Sequence, residues 1–145
     1  MKLGERLGVK LAADANVLLS ALIGGQAARV FSHAAIEEIL TTEATLAEVQ
    51  EYAPRLAQKK RLPVDVVLLA AATLPVVTIP RSVYVSSLNE ARRRIGRRDP
   101  DDVEILALAL HFHVPVWSND NDFEDTGIAW YTTASLLAVL DPKRH

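Results

Sequence analysis

Acidic side chains recur at four places along this chain: Asp14 in Asp14-Ala15-Asn16, Glu48, the run Asp99-Pro100-Asp101-Asp102, and the pair Asp120 and Asp122 around Asn121. Asp14 and Asp120 each follow an apolar run that reads as a buried strand, where a carboxylate has no ordinary business. Carboxylates gathered at strand ends repel one another unless a cation joins them. Oxygen-only ligands suit a hard divalent ion, Mg²⁺ or Mn²⁺. A metal-dependent enzyme is therefore the first expectation.

Each acid also has an ordinary alternative role. Asp14 suits a helix N-cap. Asp99 suits the same role, with Pro100 at the first helical position and Asp101 and Asp102 favoured by the helix dipole. Glu48 taken alone is a helix-surface glutamate, and Asp120 and Asp122 are common turn formers. Acids at every expected strand exit make the joint pattern favour a site.

The elements that must position these residues follow from the hydrophobic pattern. Strands are expected at Val9 to Ala13, Ile39 to Thr42, Val76 to Ile79, Val114 to Trp117 and Ile128 to Tyr131. Helical spacing covers Asn16 to Ile23, Ala27 to Ile36, Ala44 to Lys60, Pro63 to Thr73, a segment capped by Ser86 or Ser87 and ending at Gly96, Asp102 to His113, and Thr133 to Leu140. Alternating strands and helices predict a three-layer α/β/α sandwich around a mostly parallel sheet. In such sheets the functional crevice lies beyond the carboxyl ends of the strands. Asp14 and Asp120 fall there, and Glu48 and Asp102 lie near the starts of helices at the same edge.

Composition bounds the answer. The 145 residues, half of them hydrophobic and 23% charged, fit one ordered domain spanning 1–145. Cysteine is absent, which excludes disulfides and thiolate metal sites. Met1 to Val9 is too polar for a signal peptide, and the longest apolar run, Val66 to Val77, is too short to span a bilayer. A cytoplasmic protein without a membrane partner is expected. The net charge of −2 names no partner, but bases concentrate in Lys59-Lys60-Arg61 and in Arg92-Arg93-Arg94 with Arg97-Arg98. Basic patches flanking an acidic centre would suit a phosphate backbone, and a solvated helix face explains them equally well. His111 and His113 stand outside the acidic motifs, so no histidine base is suggested. Trp117, Trp130 and Tyr131 could stack on bases, although Trp117 at a strand end suits the core better.

Four segments carry a resemblance to a known family: Leu11 to Ser20 around Asp14 and Asn16, Thr41 to Val49 around Glu48, Arg98 to Ala109 around Asp102, and Val116 to Phe123 around Ser118, Asp120 and Asp122. Together, in this order, they make the chain resemble the PIN-domain (PilT N-terminus-like) ribonucleases, and among them the small VapC-like toxin nucleases. The resemblance implies an endoribonuclease using Mg²⁺ or Mn²⁺, with Asp14, Glu48, Asp102 and Asp120 as catalytic acids and metal ligands. It implies Asp122 as an accessory ligand and Asn16 and Ser118 as supporting residues. Three aspartates compete for the third acidic place, and Asp102 is preferred because Leu106 and Ala109 follow it at buried-helix spacing. Ser118 stands where many relatives carry Thr, which keeps the hydroxyl. An RNA substrate, an antitoxin partner and a homodimer are further implications.

Rival readings are a catalytically inactive PIN-like module that binds RNA or assembles a complex, and a phosphatase of the haloacid-dehalogenase type. The phosphatase needs an aspartate where Asn16 stands. A receiver domain fails because its acidic pair should come early, not at Asp101 and Asp102.

Overall fold

A computed structural model describes residues 8–96 and 100–142. The chain builds a five-stranded, wholly parallel sheet in the order β3-β2-β1-β4-β5. These strands are β1 (Val9–Ala13), β2 (Ile36–Thr42), β3 (Val77–Ile79), β4 (Val116–Trp117) and β5 (Trp130–Tyr131). Strand β1 lies at the centre, and the chain leaves it first towards β2 and β3, then returns to add β4 and β5 on its other side. The order therefore reverses between β1 and β4, where parallel sheets open a crevice. Register sets Ala13 against Trp117, so the residues that follow, Asp14 and Ser118, emerge side by side.

Both faces of the sheet are covered, as parallel sheets require. Alternation along β1 sends Val9, Leu11 and Ala13 to one face and Ala12 to the other. The first face packs against α1 (Ala15–Leu22), α2 (Ala27–Phe31), the start of α3 (Glu43–Lys59) and α8 (Thr133–Leu140). The other packs against α5 (Arg81–Tyr84), α6 (Leu88–Ile95) and α7 (Pro100–Phe112). In α7 every residue from Ile105 to Ala109 is buried, because that helix is enclosed between the sheet and its helical neighbours. The remaining helix, α4 (Val64–Ala72), folds back on α3 through Ala53, Ala57, Val67 and Ala71. Small residues at all but one of these contacts let the two helices approach closely.

The expected elements appear, with β4 and β5 starting later, at Val116 and Trp130, with α7 starting earlier, at Pro100, and with larger differences elsewhere. Helical spacing over Ala27 to Ile36 ends at Phe31, and β2 begins at Ile36 rather than Ile39. Pairing with β1 overrides the local helical tendency there, and Lys10 bridges Glu37 and Glu38 across the two strands at 3.7 and 3.6 Å. The single turn α5 has no sequence periodicity to announce it. Ser87 stands at the N-cap of α6 but makes no side-chain capping bond. Asp99, Arg97 and Arg98 lie outside the described residues. Among the described residues no helix is long and apolar enough to cross a membrane.

Candidate metal centre

The site is built where β1 and β4 end. Asp14 closes β1 and caps α1, its Oδ1 accepting the Ala15 N–H at 2.7 Å. Its Oδ2 accepts from Asn16 Nδ2 at 3.0 Å and from Ser118 Oγ at 2.9 Å. The helix-cap role and a site role therefore coexist in one side chain. Asp14 is 6% exposed. Burial pushes its carboxyl above the usual carboxylate range, with the charges of Asp120 and Asp101 adding to the rise; the bonds from Ser118 and Ala15 oppose it. The pocket thus holds a carboxylate that is costly to ionise while no cation is beside it.

Ser118 is fully buried and joins the two strand ends. While donating to Asp14, its Oγ accepts from Asn16 Nδ2 at 3.1 Å and from the Asp120 N–H at 3.0 Å. Asp120 then caps a single 3₁₀ turn, Asn121–Phe123, accepting the Asp122 N–H at 2.9 Å. Phe123 anchors that turn in the core beneath α7. The turn chemistry of Asp120 is thus what aims Asp122.

Helices supply the other acids. Thr42 ends β2 and caps α3, accepting the Thr45 N–H at 2.9 Å. Its neighbour Thr41 donates to the Ala13 carbonyl at 2.9 Å and ties the end of β2 to the end of β1. Glu48 follows on α3, exposed at the mouth of the site. Asp101 and Asp102 lie in the first turn of α7, Asp102 buried at 4% exposure and Asp101 half-buried.

These placements converge. One cavity of about 200 Å³ is lined by Asp14, Asn16, Glu48, Asp101, Asp102 and Asp120. Beside it, Asp102, Asp120 and Asp122 each offer a carboxylate oxygen, and the three oxygens lie within 4.8 Å of one another. Around an ion held at about 2.1 Å, octahedral oxygens stand about 3 to 4.2 Å apart, so small side-chain rotations fit this triad to Mg²⁺. The donors are all hard oxygens, which suits Mg²⁺ or Mn²⁺. The tightest group thus includes Asp122, read from sequence as an accessory, whereas Asp14 and Glu48 share the cavity without belonging to the triad. Asp101, one of the three aspartates competing for the third acidic place, lines the cavity together with Asp102.

Other singled-out residues lie elsewhere. His111 and His113 are exposed at the end of α7 remote from Asp102. Trp117 is fully buried, donates to Thr133 Oγ1 at 3.0 Å and packs on Phe31. Trp130 spends its N–H on the Ser118 carbonyl at 2.9 Å. Sequence reasoning missed Asn119, whose N–H donates to Asn16 Oδ1 at 3.0 Å and whose Oδ1 accepts the Thr133 N–H at 2.8 Å. Its only signal was a place between Ser118 and Asp120.

Comparison with known proteins agrees with this architecture. The PIN domain family model matches residues 13–141. A solved toxin–antitoxin complex from Klebsiella pneumoniae contains a chain similar at 20% identity, with a TM-score of 0.60 over 87% of this chain and 98% of that one. The crystal structure of FitAcB from Neisseria gonorrhoeae is similar at 14% identity, with a TM-score of 0.55 over 87% of this chain and 99% of that one. No curated protein matches in sequence. The matched segment spans both strand-end motifs and both acid-bearing helices, and on that match the chain belongs to the PIN-domain family.

Proposed function

We propose that this chain, read as one PIN domain, is a metal-dependent endoribonuclease. Asp14, Glu48, Asp102 and Asp120 form its acidic set, with Asp122 as a further ligand and Mg²⁺ or Mn²⁺ as cofactor. The observation that carries the reading is the approach of the Asp102, Asp120 and Asp122 oxygens beside the cavity that Asp14 and Glu48 line. PIN domains in general are nucleases, which supports phosphodiester hydrolysis over other metal chemistry.

A divalent ion bound there would polarise the scissile phosphate and make a bound water more acidic. The chain's own residues do the rest. Asn16 and Ser118 fix the Asp14 carboxylate in one orientation, and Ser118 also fixes the backbone from which Asp120 projects. Burial of Asp14 and Asp102 keeps competing water away from the inner wall. Glu48, at the mouth, takes up the proton of the attacking water in this reading. Mutual repulsion among the acids makes the pocket favour a cation over any anion that arrives without one.

The toxin–antitoxin complex among the similar structures supports a finer reading: a cytoplasmic, homodimeric toxin whose antitoxin covers or neutralises the acid pocket. The decisive experiment incubates a mixed RNA pool with wild type and with Asp14→Asn, in Mg²⁺, in Mn²⁺ and in EDTA. Metal-dependent cleavage by wild type alone is expected. Equal cleavage by both proteins would sink the assignment, and binding without cleavage by either would make the chain an RNA-binding module instead.

A further inference from the structure

Two open clefts adjoin the acid cavity through shared wall residues, the second by way of the first. Asn16 and Asp120, which line the cavity, also line an open cleft of about 550 Å³ with Asn119 and Asn121. Asn119 in turn lines a third cleft of about 490 Å³, whose walls include Arg29 on α2 and Thr133 at the start of α8. Hydrogen bonds brace this path from end to end. Asp14 accepts from Asn16, Asn16 accepts from Asn119, and Asn119 accepts from Thr133, at 3.0, 3.0 and 2.8 Å. Each cleft is the size of a small-molecule pocket, room for a nucleotide or two.

Charge runs along the path in one direction, from the acids through neutral asparagines to a cation. Arg29 is exposed, and its guanidinium donates to the neutral Gln26 amide at 3.0 Å. Arg81 pairs with Glu104 and Arg93 and Arg94 with Glu90, while Arg55 over the Tyr52 ring and Arg92 on the Asn89 amide line none of these three clefts. Among the described residues no acid pairs with Arg29, and its cleft meets the one beside the acids at Asn119. A polyanion that must approach those acids needs an anchor beyond them, because the acids themselves repel its phosphates. A duplex would present two charged backbones to the same acids, whereas a single strand presents one.

We propose that these adjoining clefts form the path of single-stranded RNA on one side of the cleavage site. Arg29 holds a phosphate remote from the reacting bond, and the Asn119 and Asn121 edges face the intervening nucleotides. The proposal rests on the ribonuclease reading above, and its test separates the two.

Unstructured RNA oligonucleotides of increasing length are cleaved in saturating Mn²⁺ by wild type, Arg29→Ala and Arg29→Lys. For the longer substrates Arg29→Ala raises KM about three- to tenfold with kcat unchanged, the scale of one solvent-exposed hydrogen-bonded contact. Lysine restores most of the loss, and the salt dependence of log KM weakens by about 0.7, one single-strand phosphate contact. An unchanged KM, or a kcat loss equal at every length, overturns the groove while leaving the nuclease intact. If wild type cleaves no RNA, the nuclease reading fails, and titration of a fluorescent, non-cleavable 2′-O-methyl oligonucleotide decides the groove by itself. Affinity that drops in Arg29→Ala supports the groove; equal affinity, or no binding, overturns it.

Discussion

Ser118→Ala tests the architecture of the site most directly, because one buried oxygen joins three groups. The substitution removes a bond to the Asp14 carboxylate at 2.9 Å and two from Asn16 Nδ2 and the Asp120 N–H at 3.1 and 3.0 Å. A bond to an ionised carboxylate contributes about 1.5–3 kcal/mol, and each of the partly buried pair about 0.5–1 kcal/mol. The three share one atom and do not add fully, so the expected loss is about 3 kcal/mol near neutral pH. Losing one oxygen opens too little space for a cavity penalty to matter. With a urea m-value of about 2 kcal/mol/M, the unfolding midpoint of the metal-free protein falls by about 1.5 M. Acidity supplies the control. The Ser118 bond lowers the Asp14 pKa, so it is strongest when Asp14 is ionised. At a pH below its folded-state value the carboxyl, raised by burial, keeps its proton, and the loss shrinks to about 1.5–2 kcal/mol. A midpoint shift under about 0.3 M, or equal shifts at both pH values, would refute the claim that Ser118 holds a buried carboxylate.

Three further outcomes are expected. Asp14 binds its proton more tightly in the folded protein, so the metal-free stability of wild type relative to Asp14→Asn falls as pH rises from 3.8 through the folded-state value, and saturating Mg²⁺ removes that fall; paired urea titrations showing a flat difference would contradict it. Replacing Asp102, Asp120 or Asp122 singly by Asn weakens Mn²⁺ binding, read by electron paramagnetic resonance, at least about tenfold; unchanged binding in all three removes the triad as a metal site. Trp117→Phe loses the bond to Thr133 and part of a fully buried ring, costing about 2–3 kcal/mol by denaturant unfolding, with Mn²⁺ affinity nearly unchanged because Thr133 lies outside the acid cavity.

Apolar runs and their punctuation made the sheet and both covering layers legible, since β4 and β1 beyond Lys10 are buried on both faces and read as hydrophobic segments. The start of β2 was not legible. Ile36-Glu37-Glu38 has no strand signature of its own, and only its partner β1 makes it extended. Strand order was equally hidden, yet it alone sets Asp14 beside Ser118. The acids themselves could be picked out by type and place. Their grouping could not, because which carboxylates meet depends on side-chain direction. Asp122 joins the triad through a turn that Asp120 caps, and Asp101 and Asp102, adjacent on α7, both reach the cavity. Asn119 escaped notice because its partners, the Asn16 side chain and the Thr133 main chain, are distant in sequence.

The reversal of strand order between β1 and β4 has a consequence in time as well as space. Asp14 and Ser118 meet across 104 positions, and the triad waits for Asp122. Contacts of such separation form late, after the long loop between them has been closed. A chain emerging during synthesis can fold β1, β2 and their helices while still lacking every residue of β4. The triad therefore cannot form until Asp120 and Asp122, beyond β4, have been made. For the ribonuclease proposed above, the topology delays a complete triad until nearly the whole sheet has closed.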